Sequence, residues 1–268
     1  MFTFTDIALT DFSNTNIYYK ELYSLFKTTL NPDLSEREFY FYYCYDKPEH
    51  VHITFVKYNN DYAGFLSVSE YKKILAGKEH IICRVAVGLL NEFRGGNFPV
   101  SRLCGKIMQY KLKHPFCNMY LTAYLANPLM YAMICKYTHQ VYPRVNRKVS
   151  NKINALRLAV LKNAGMLKKE IEPFVTKIHF RVCLGLEDKM RIERSKNENV
   201  HYYLKKNPDY ENQIGLMVIL PVSWLNITAT LYKACLKRPV LKYISNIKLS
   251  TPLVFLRKTI LQAAGFEK

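Results

Sequence analysis

The residues with the clearest chemical potential cluster between Glu92 and Asn97, in the stretch EFRGGN. The carboxylate of Glu92 can accept a proton from a reacting group, and the guanidinium of Arg94 can pair with a phosphate. Gly95 and Gly96 lack side chains, so the backbone there can turn tightly and approach a ligand. Together these residue types indicate an anion-binding turn with a carboxylate beside it.

The elements that flank this turn would position it. Val85, Val87 and Leu89 alternate with smaller or polar residues, which predicts a strand. After the turn, Pro99 suits the first turn of a helix, and apolar residues recur at helical spacing as far as Lys113. A strand, a glycine turn and a helix direct backbone N–H groups and a positive helix end at one spot, which favours phosphate or pyrophosphate. A plain connecting turn is the alternative, since neither G-x-x-x-x-G-K-[ST] nor G-x-G-x-x-G is present.

Composition narrows the class of protein without choosing a partner. The chain has 268 residues, 49% of them hydrophobic, which is enough for a real core of one large or two small domains. Its formal net charge of +18 attracts nucleic acid, anionic lipid or polyanionic small molecules. Nucleic-acid binding ranks low among these, because no basic run interleaved with aromatics and no zinc-finger spacing occurs.

The cysteines and the apolar runs indicate a cytoplasmic protein. The 7 cysteines are scattered and form no C-x-x-C pair, as expected for reduced thiols, and we predict no metal site. We expect no secretory signal at the N-terminus. No apolar run is long enough to predict a membrane span.

The rest of the chain predicts alternating helices and strands. Ser35 and Glu38 have the spacing of a capping box at a helix start. Residues 70–77 are interpreted as a short helix or loop, and residues 185–199 as a solvated charged segment. The predicted strands are 1–12, 52–56, 62–68, 81–89, 118–125, 175–184 and 216–220, and the other predicted helices are 16–30, 128–139, 152–167 and 223–236.

This order of elements resembles the GCN5-related N-acetyltransferase (GNAT) superfamily. The likeness runs from Ile53 to His139, roughly half the chain. VAVGLLNEFRGGNFPVSRL corresponds to the segment that cradles the pyrophosphate of an acyl-coenzyme A, and TAYLANPLMYAMICKY to the following strand and its Asn-started helix. The resemblance implies an α/β fold with a mixed central sheet, flanked by helices and extended by C-terminal strands and helices. We expect a core over residues 1–145 and an extension over residues 146–268.

The resemblance also implies an activity, acyl transfer from acetyl-CoA or a longer acyl-CoA to an amine acceptor by direct attack. The turn amides from Arg94 to Phe98 would hold the pyrophosphate, with Gly95, Gly96 and Asn97 between them. The backbone of Val85 and Val87 would face the thioester, and Asn127 would start the helix beside it. Glu92 is the candidate base, and Tyr131 or Tyr137 the candidate acid.

The chain departs from the family pattern at three positions, and rival functions stay open. Asn97 and Pro99 replace small turn residues. Ile134 stands where the family carries the Tyr that protonates the leaving thiolate. One alternative is therefore a binding module of the same fold without catalysis. Another is a peripheral protein that lies on anionic membranes through a basic amphipathic tail, residues 224–266.

Overall fold

The computed structural model describes residues 2–10, 12, 15–44, 47–75, 77–94, 98–178 and 184–235. Eight strands form one mixed sheet in the order β1-β2-β3-β4-β5-β8-β7-β6. The strands are β1 Phe2–Leu9, β2 His50–Tyr58, β3 Asp61–Leu75, β4 Lys78–Leu89, β5 Asn118–Leu125, β6 Glu170–Glu172, β7 Val175–Lys177 and β8 Ile214–Pro221. The helices are α1 Ile17–Thr29, α2 Glu36–Cys44, α3 Phe98–Lys113, α4 Pro128–Tyr137, α5 Asn151–Asn163, α6 Leu186–Glu193, α7 Glu198–Lys206 and α8 Trp224–Cys235.

The sheet joins residues from both predicted parts of the chain. Only β4 and β5 pair in parallel, whereas the other neighbours are antiparallel. β8, which follows residue 145 in the chain, pairs directly with β5, so the predicted extension completes the sheet. The α/β class and the mixed central sheet flanked by helices are confirmed.

Two apolar layers cover the two faces of the sheet. Side chains of β3, β4 and β5 that alternate along each strand pack on one face in a cluster with α1, α2 and α5. Phe26 and Phe39 are fully buried in this cluster. The opposite face packs against α3, where Ile107 is buried, and against Ile227 of α8. No described helix is both long and apolar enough to cross a bilayer.

The local predictions have mixed outcomes. The strand predicted over residues 175–184 is present at Val175–Lys177, and residues 179–183 lie outside the described residues. The capping box is present, since the Glu38 N–H donates to Ser35 Oγ at 3.2 Å and the Ser35 N–H donates to Glu38 Oε2 at 3.0 Å. The helix or loop predicted over residues 70–77 is wrong. Residues Glu70–Leu75 instead extend β3 and pair with Lys78–Cys83 of β4. Polar and apolar residues do not alternate in this arm of the hairpin, since Lys72 and Lys73 are followed by Ile74 and Leu75, so the period-2 pattern was weak there.

Candidate functional site

The centre of the candidate site is a gap between β4 and β5. The two strands pair only from His80–Asn118 to Arg84–Thr122. Beyond that rung, β4 continues to Leu89 on β3, and β5 continues to Leu125 on β8. Beyond this rung, β3 therefore pairs with the outer edge of β4, and β8 pairs with the outer edge of β5. The facing edges of β4 and β5 are not paired with each other there.

Strand geometry determines which backbone groups face the gap. The Leu90 N–H donates to Ala63 O at 3.0 Å, toward β3. Because successive residues of a strand direct their N–H and C=O groups to opposite sides, the Val87 groups point away from β3. The last parallel rung uses the Val85 N–H, so the Val85 carbonyl and the Val87 N–H are the first groups directed into the gap.

β4 ends at the open end of this gap, and the described residues 90–94 follow it. A short 3-10 turn covers Asn91–Phe93, and α3 begins at Phe98 with Pro99 in its first turn. Gly95, Gly96 and Asn97 lie outside the described residues. The first turn of α3, with its free N–H groups and the positive end of the helix, comes directly after these three residues. The strand and the helix expected from the sequence are therefore present, and the glycine turn between them lies outside the described residues.

Arg94 holds the start of the turn against the rest of the fold. Its Nε donates to Leu89 O at 3.2 Å, and its Nη2 donates to Thr29 O at 3.1 Å. Thr29 is the last residue of α1, and its Oγ1 donates to Leu25 O at 2.6 Å. The guanidinium therefore links the end of β4 to the C-terminal end of α1, where carbonyl groups lack helical partners.

The predicted acid–base residues are not brought together. Glu92 is exposed on the 3-10 turn. Tyr131 is completely buried, and its hydroxyl donates to Pro143 O at 2.9 Å. Burial, reinforced by Cys135, raises the pKa of that hydroxyl. Tyr137 is partly exposed at the end of α4, six residues or about 9 Å further along the helix axis.

Asn127 has a role that its type and position explain. It is the N-cap of α4, and its side-chain oxygen accepts the Leu129 N–H at 2.8 Å. An Asn before Pro128 is a typical helix start. Because α4 follows the end of β5, the cap places the first turn of this helix beside the gap.

Arg84 is a residue whose importance the sequence analysis missed. It lies in β4 at the last rung before the gap, and it is only 5% exposed. Its guanidinium lies 4.6 Å from the ring centre of Tyr42 and 5.1 Å from that of Tyr71. Nη2 donates to Tyr42 O and to the Tyr71 hydroxyl. The available signal was a lone cation inside the apolar run IICRVAV.

The partners of the Arg84 guanidinium are aromatic rings and neutral oxygen atoms. No carboxylate of the described residues forms a salt bridge with it. A guanidinium stays protonated in proteins, and burying an ion costs several kcal/mol. Each of the two contacts with aromatic rings returns about 2 kcal/mol or more, because they are shielded from water. The Nε atom and the nearby Thr122 Oγ1 are both buried without a hydrogen-bond partner.

Comparisons with known proteins give only distant likenesses. No protein-family model and no curated protein matches the chain. An Enterococcus faecalis protein described as a probable N-acyltransferase matches with a TM-score of 0.36 and 10% identity over 50% of this chain and 32% of its own. An Elizabethkingia anophelis GNAT family acetyltransferase solved with acetyl-CoA bound matches with a TM-score of 0.32 and 14% identity, over 56% and 90%.

A third likeness has the same extent. An Arabidopsis thaliana protein in complex with the bisubstrate analogue CoA-Ac-MVNAL matches with a TM-score of 0.34 and 14% identity, over 56% of this chain and 92% of its own. The first of these three structures is much longer than the matched region, since this chain covers about a third of it.

The predicted basic tail, residues 224–266, is described only as far as Cys235. Its residues beyond Cys235 lie outside the described residues.

Proposed function

We propose that the chain is an acyl-CoA-dependent N-acyltransferase that binds its donor in the gap between β4 and β5. The observation that carries the proposal is the early end of the parallel ladder at Arg84 and Thr122, directly before the strand–turn–helix unit. An extended thioester arm needs an exposed strand edge, and its pyrophosphate needs a helix N-terminus. The gap offers the strand edge, and the start of α3, the next helix in the chain, offers the N-terminus.

Each predicted residue has a distinct part in this proposal. The pyrophosphate lies on the backbone of residues 94–98, including Gly95, Gly96 and Asn97 and ending at the first turn of α3. The Val87 N–H donates to the thioester carbonyl oxygen, where negative charge develops during attack. The Val85 carbonyl accepts an amide N–H of the donor arm. Arg94 fixes the turn through its bonds to two backbone carbonyls.

Proton transfer completes the reaction. The neutral amine acceptor attacks the thioester carbon as a nucleophile, so that a C–N bond forms and the C–S bond breaks. Its nitrogen must lose a proton for the amide to form. Glu92, exposed beside the turn, accepts that proton directly or through water. A hydroxyl then protonates the departing thiolate. Tyr137 has the more accessible hydroxyl, because the Tyr131 hydroxyl already donates to Pro143 O.

A variant of the Val87 backbone tests the proposal. Val87→Pro removes the N–H aimed into the gap and no bond of the β3–β4 ladder, and Val87→Ala is the control for the side chain. We expect Val87→Ala to transfer acetyl groups from acetyl-CoA to a mixture of amines at the wild-type rate, and Val87→Pro to be slowed about 100-fold or more. Equal rates for a folded Val87→Pro variant and Val87→Ala would exclude the assigned carbonyl contact.

A second candidate is a donor-binding module without catalysis. The observation that favours it is the use of the Tyr131 hydroxyl in packing, with Tyr137 about 9 Å away along α4. In this case coenzyme A binds, but no amine is acylated. Substitution of Tyr137 by Phe separates the two candidates, because only the enzyme would lose turnover while keeping its affinity for coenzyme A.

A further inference from the structure

Three connections of the chain meet at the end of the sheet opposite the gap. β3 and β4 are joined there by the turn that follows Leu75. β5 begins at Asn118, which pairs with His80 near the start of β4. β8 ends there, and the Val222 N–H donates to Met119 O at 2.8 Å. We call this region the distal end and define it by residues 74–75, 77–79, 113–118 and 222–225.

Large apolar side chains are exposed at the distal end, and each of the three connections contributes to them. They are Ile74 at 77% exposure, Phe116 at 98%, Trp224 at 38% and Leu225 at 58%. The loops that carry Phe116 and Trp224 are neighbours, because the pairing of β5 with β8 continues to this end. A single exposed hydrophobic residue is normal on a protein surface, whereas a group of them marks an interaction surface.

The charge of the distal end is positive. Lys78 and Lys113 are both exposed, and Glu79 is the one carboxylate residue among those that define this end. The chain has no Asp or Glu between Glu92 and Glu170, a stretch that supplies the loop before β5 and the start of α5. The distal end therefore attracts a partner with negative charge.

Lys152 places a further cation beside the distal end. It is exposed in the first turn of α5, and its Nζ lies 5.9 Å from the ring centre of Tyr120. Tyr120 lies two residues into β5 and pairs with Pro221, the last residue of β8. Lys152 is therefore close to the point where β5 begins and β8 ends.

An anionic lipid surface matches both properties of the distal end. Apolar side chains on separate loops can enter the boundary between headgroups and acyl chains, where a Trp ring is favoured. Lysines beside them attract the negative headgroups. Nucleic acid would use the lysines but would leave Ile74 and Leu225 without a role, because it is bound through phosphates and base stacking.

We propose that the distal end binds the surface of an anionic membrane. Ile74, Phe116, Trp224 and Leu225 insert between the headgroups, and Lys78, Lys113 and Lys152 contact the negative lipid groups around them. The gap between β4 and β5 lies at the other end of the same strands, so membrane binding leaves it accessible. The surface requires neither coenzyme A nor the acyl transfer proposed above.

Sedimentation of the full chain with lipid vesicles tests the proposal. We expect binding to vesicles of phosphatidylcholine and phosphatidylserine mixed about 7 to 3, much weaker binding to phosphatidylcholine alone, and a loss of affinity as salt rises. Trp224 is the single Trp of the chain, so its fluorescence reports on the distal end. Its emission should move to shorter wavelength on the mixed vesicles. Absence of binding, or binding without this change in emission, would overturn the proposal.

Matched variants test which side chains insert. Ile74→Ser with Phe116→Ser removes two highly exposed apolar groups and should weaken vesicle binding by about 10-fold or more. The control is Ile171→Ser with Leu186→Ser, because these residues are 54% and 75% exposed and lie outside the distal end. The control should bind as the wild type does. Equal binding by the two double variants would place the lipid contact elsewhere in the chain and refute the proposal.

Charge variants give an independent readout. Lys78→Gln with Lys113→Gln should weaken binding to the mixed vesicles by about 10-fold at low salt, and the difference should shrink as salt rises. Lys162→Gln with Lys205→Gln removes two exposed lysines outside the distal end and should have a smaller effect. Equal losses in the two pairs would show attraction by net charge alone and would contradict a specific membrane-binding end.

Discussion

Gly88 should be a position where one added methyl group is costly. It lies in β4 next to Val87, and its face is covered by the end of α1. A Cβ atom at this position would lie 2.2 Å from Thr29 Oγ1, 2.5 Å from Phe65 Cε1 and 3.0 Å from Thr29 Cβ. Both neighbours are buried, so neither has free space into which to move.

The magnitude follows from this overlap. Overpacking of a buried site costs typically 1–3 kcal/mol, and for Gly88→Ala we expect about 2 kcal/mol because two side chains must move. For a chain of this size that corresponds to an unfolding temperature lower by roughly 4–8 °C. Displacing Thr29 also disturbs the carbonyl that accepts the Arg94 bond, so coenzyme A affinity should fall as well.

Urea denaturation of the wild type and Gly88→Ala measures the cost. Gly185→Ala is the control, because a Cβ atom there meets nothing within 4 Å. In a double-mutant cycle, Thr29→Ala should recover part of the loss in Gly88→Ala, since it removes the closest atom. Wild-type stability in Gly88→Ala, or additive losses in the cycle, would refute the packing of α1 on β4.

Three further predictions concern buried polar groups. Arg157→Met should destabilise the fold by about 3 kcal/mol in urea denaturation, because it leaves the Glu170 carboxylate, only 14% exposed, without the cation that pairs with it. A loss under 1 kcal/mol would contradict a strong pair. Tyr131→Phe should lower the unfolding free energy by about 1 kcal/mol, because Pro143 O loses its donor. The affinity for coenzyme A, measured by calorimetry, should not change. Weaker binding would assign Tyr131 to the site. Burial and Lys152 lower the pKa of His80 below 6.5. The unfolded state therefore binds more protons than the folded state, and stability falls as pH drops from 6.5 through the lowered pKa. His80→Leu should reduce the pH dependence of the unfolding temperature between pH 7 and pH 5, and an unchanged slope would exclude His80 as the cause.

Much of the fold was predictable because local patterns and tertiary packing agree. The Ser35 capping box, Asn127 before Pro128 and the alternation of Val85, Val87 and Leu89 each correspond to an element that is present. Residues 70–77 were harder, because a polar strand arm carries no clear period. Its conformation depends on its pairing with β4, and a short stretch of sequence does not show which strand will pair with it.

The site was predictable in outline only. The strand, turn and helix around Arg94 follow from residue types, but the gap depends on where the β4–β5 ladder ends, which no single segment encodes. Tyr131 and Tyr137 lie on the same helix, and the bond of the Tyr131 hydroxyl to Pro143 O depends on tertiary packing that the sequence of α4 alone does not show. Arg84 is a lone cation in an apolar strand, so its partners become visible only when α2 and β3 are in place.

The central claim is that the gap and the start of α3 hold coenzyme A, and isothermal titration calorimetry with acetyl-CoA tests it most directly. We predict binding of one molecule per chain, and binding that is abolished by Gly95→Glu, because a carboxylate would occupy the phosphate position and repel it. A long-chain acyl-CoA in the same experiment shows whether the chain length matters. No binding heat with either donor at millimolar concentration, in a protein shown to be folded, would contradict the account.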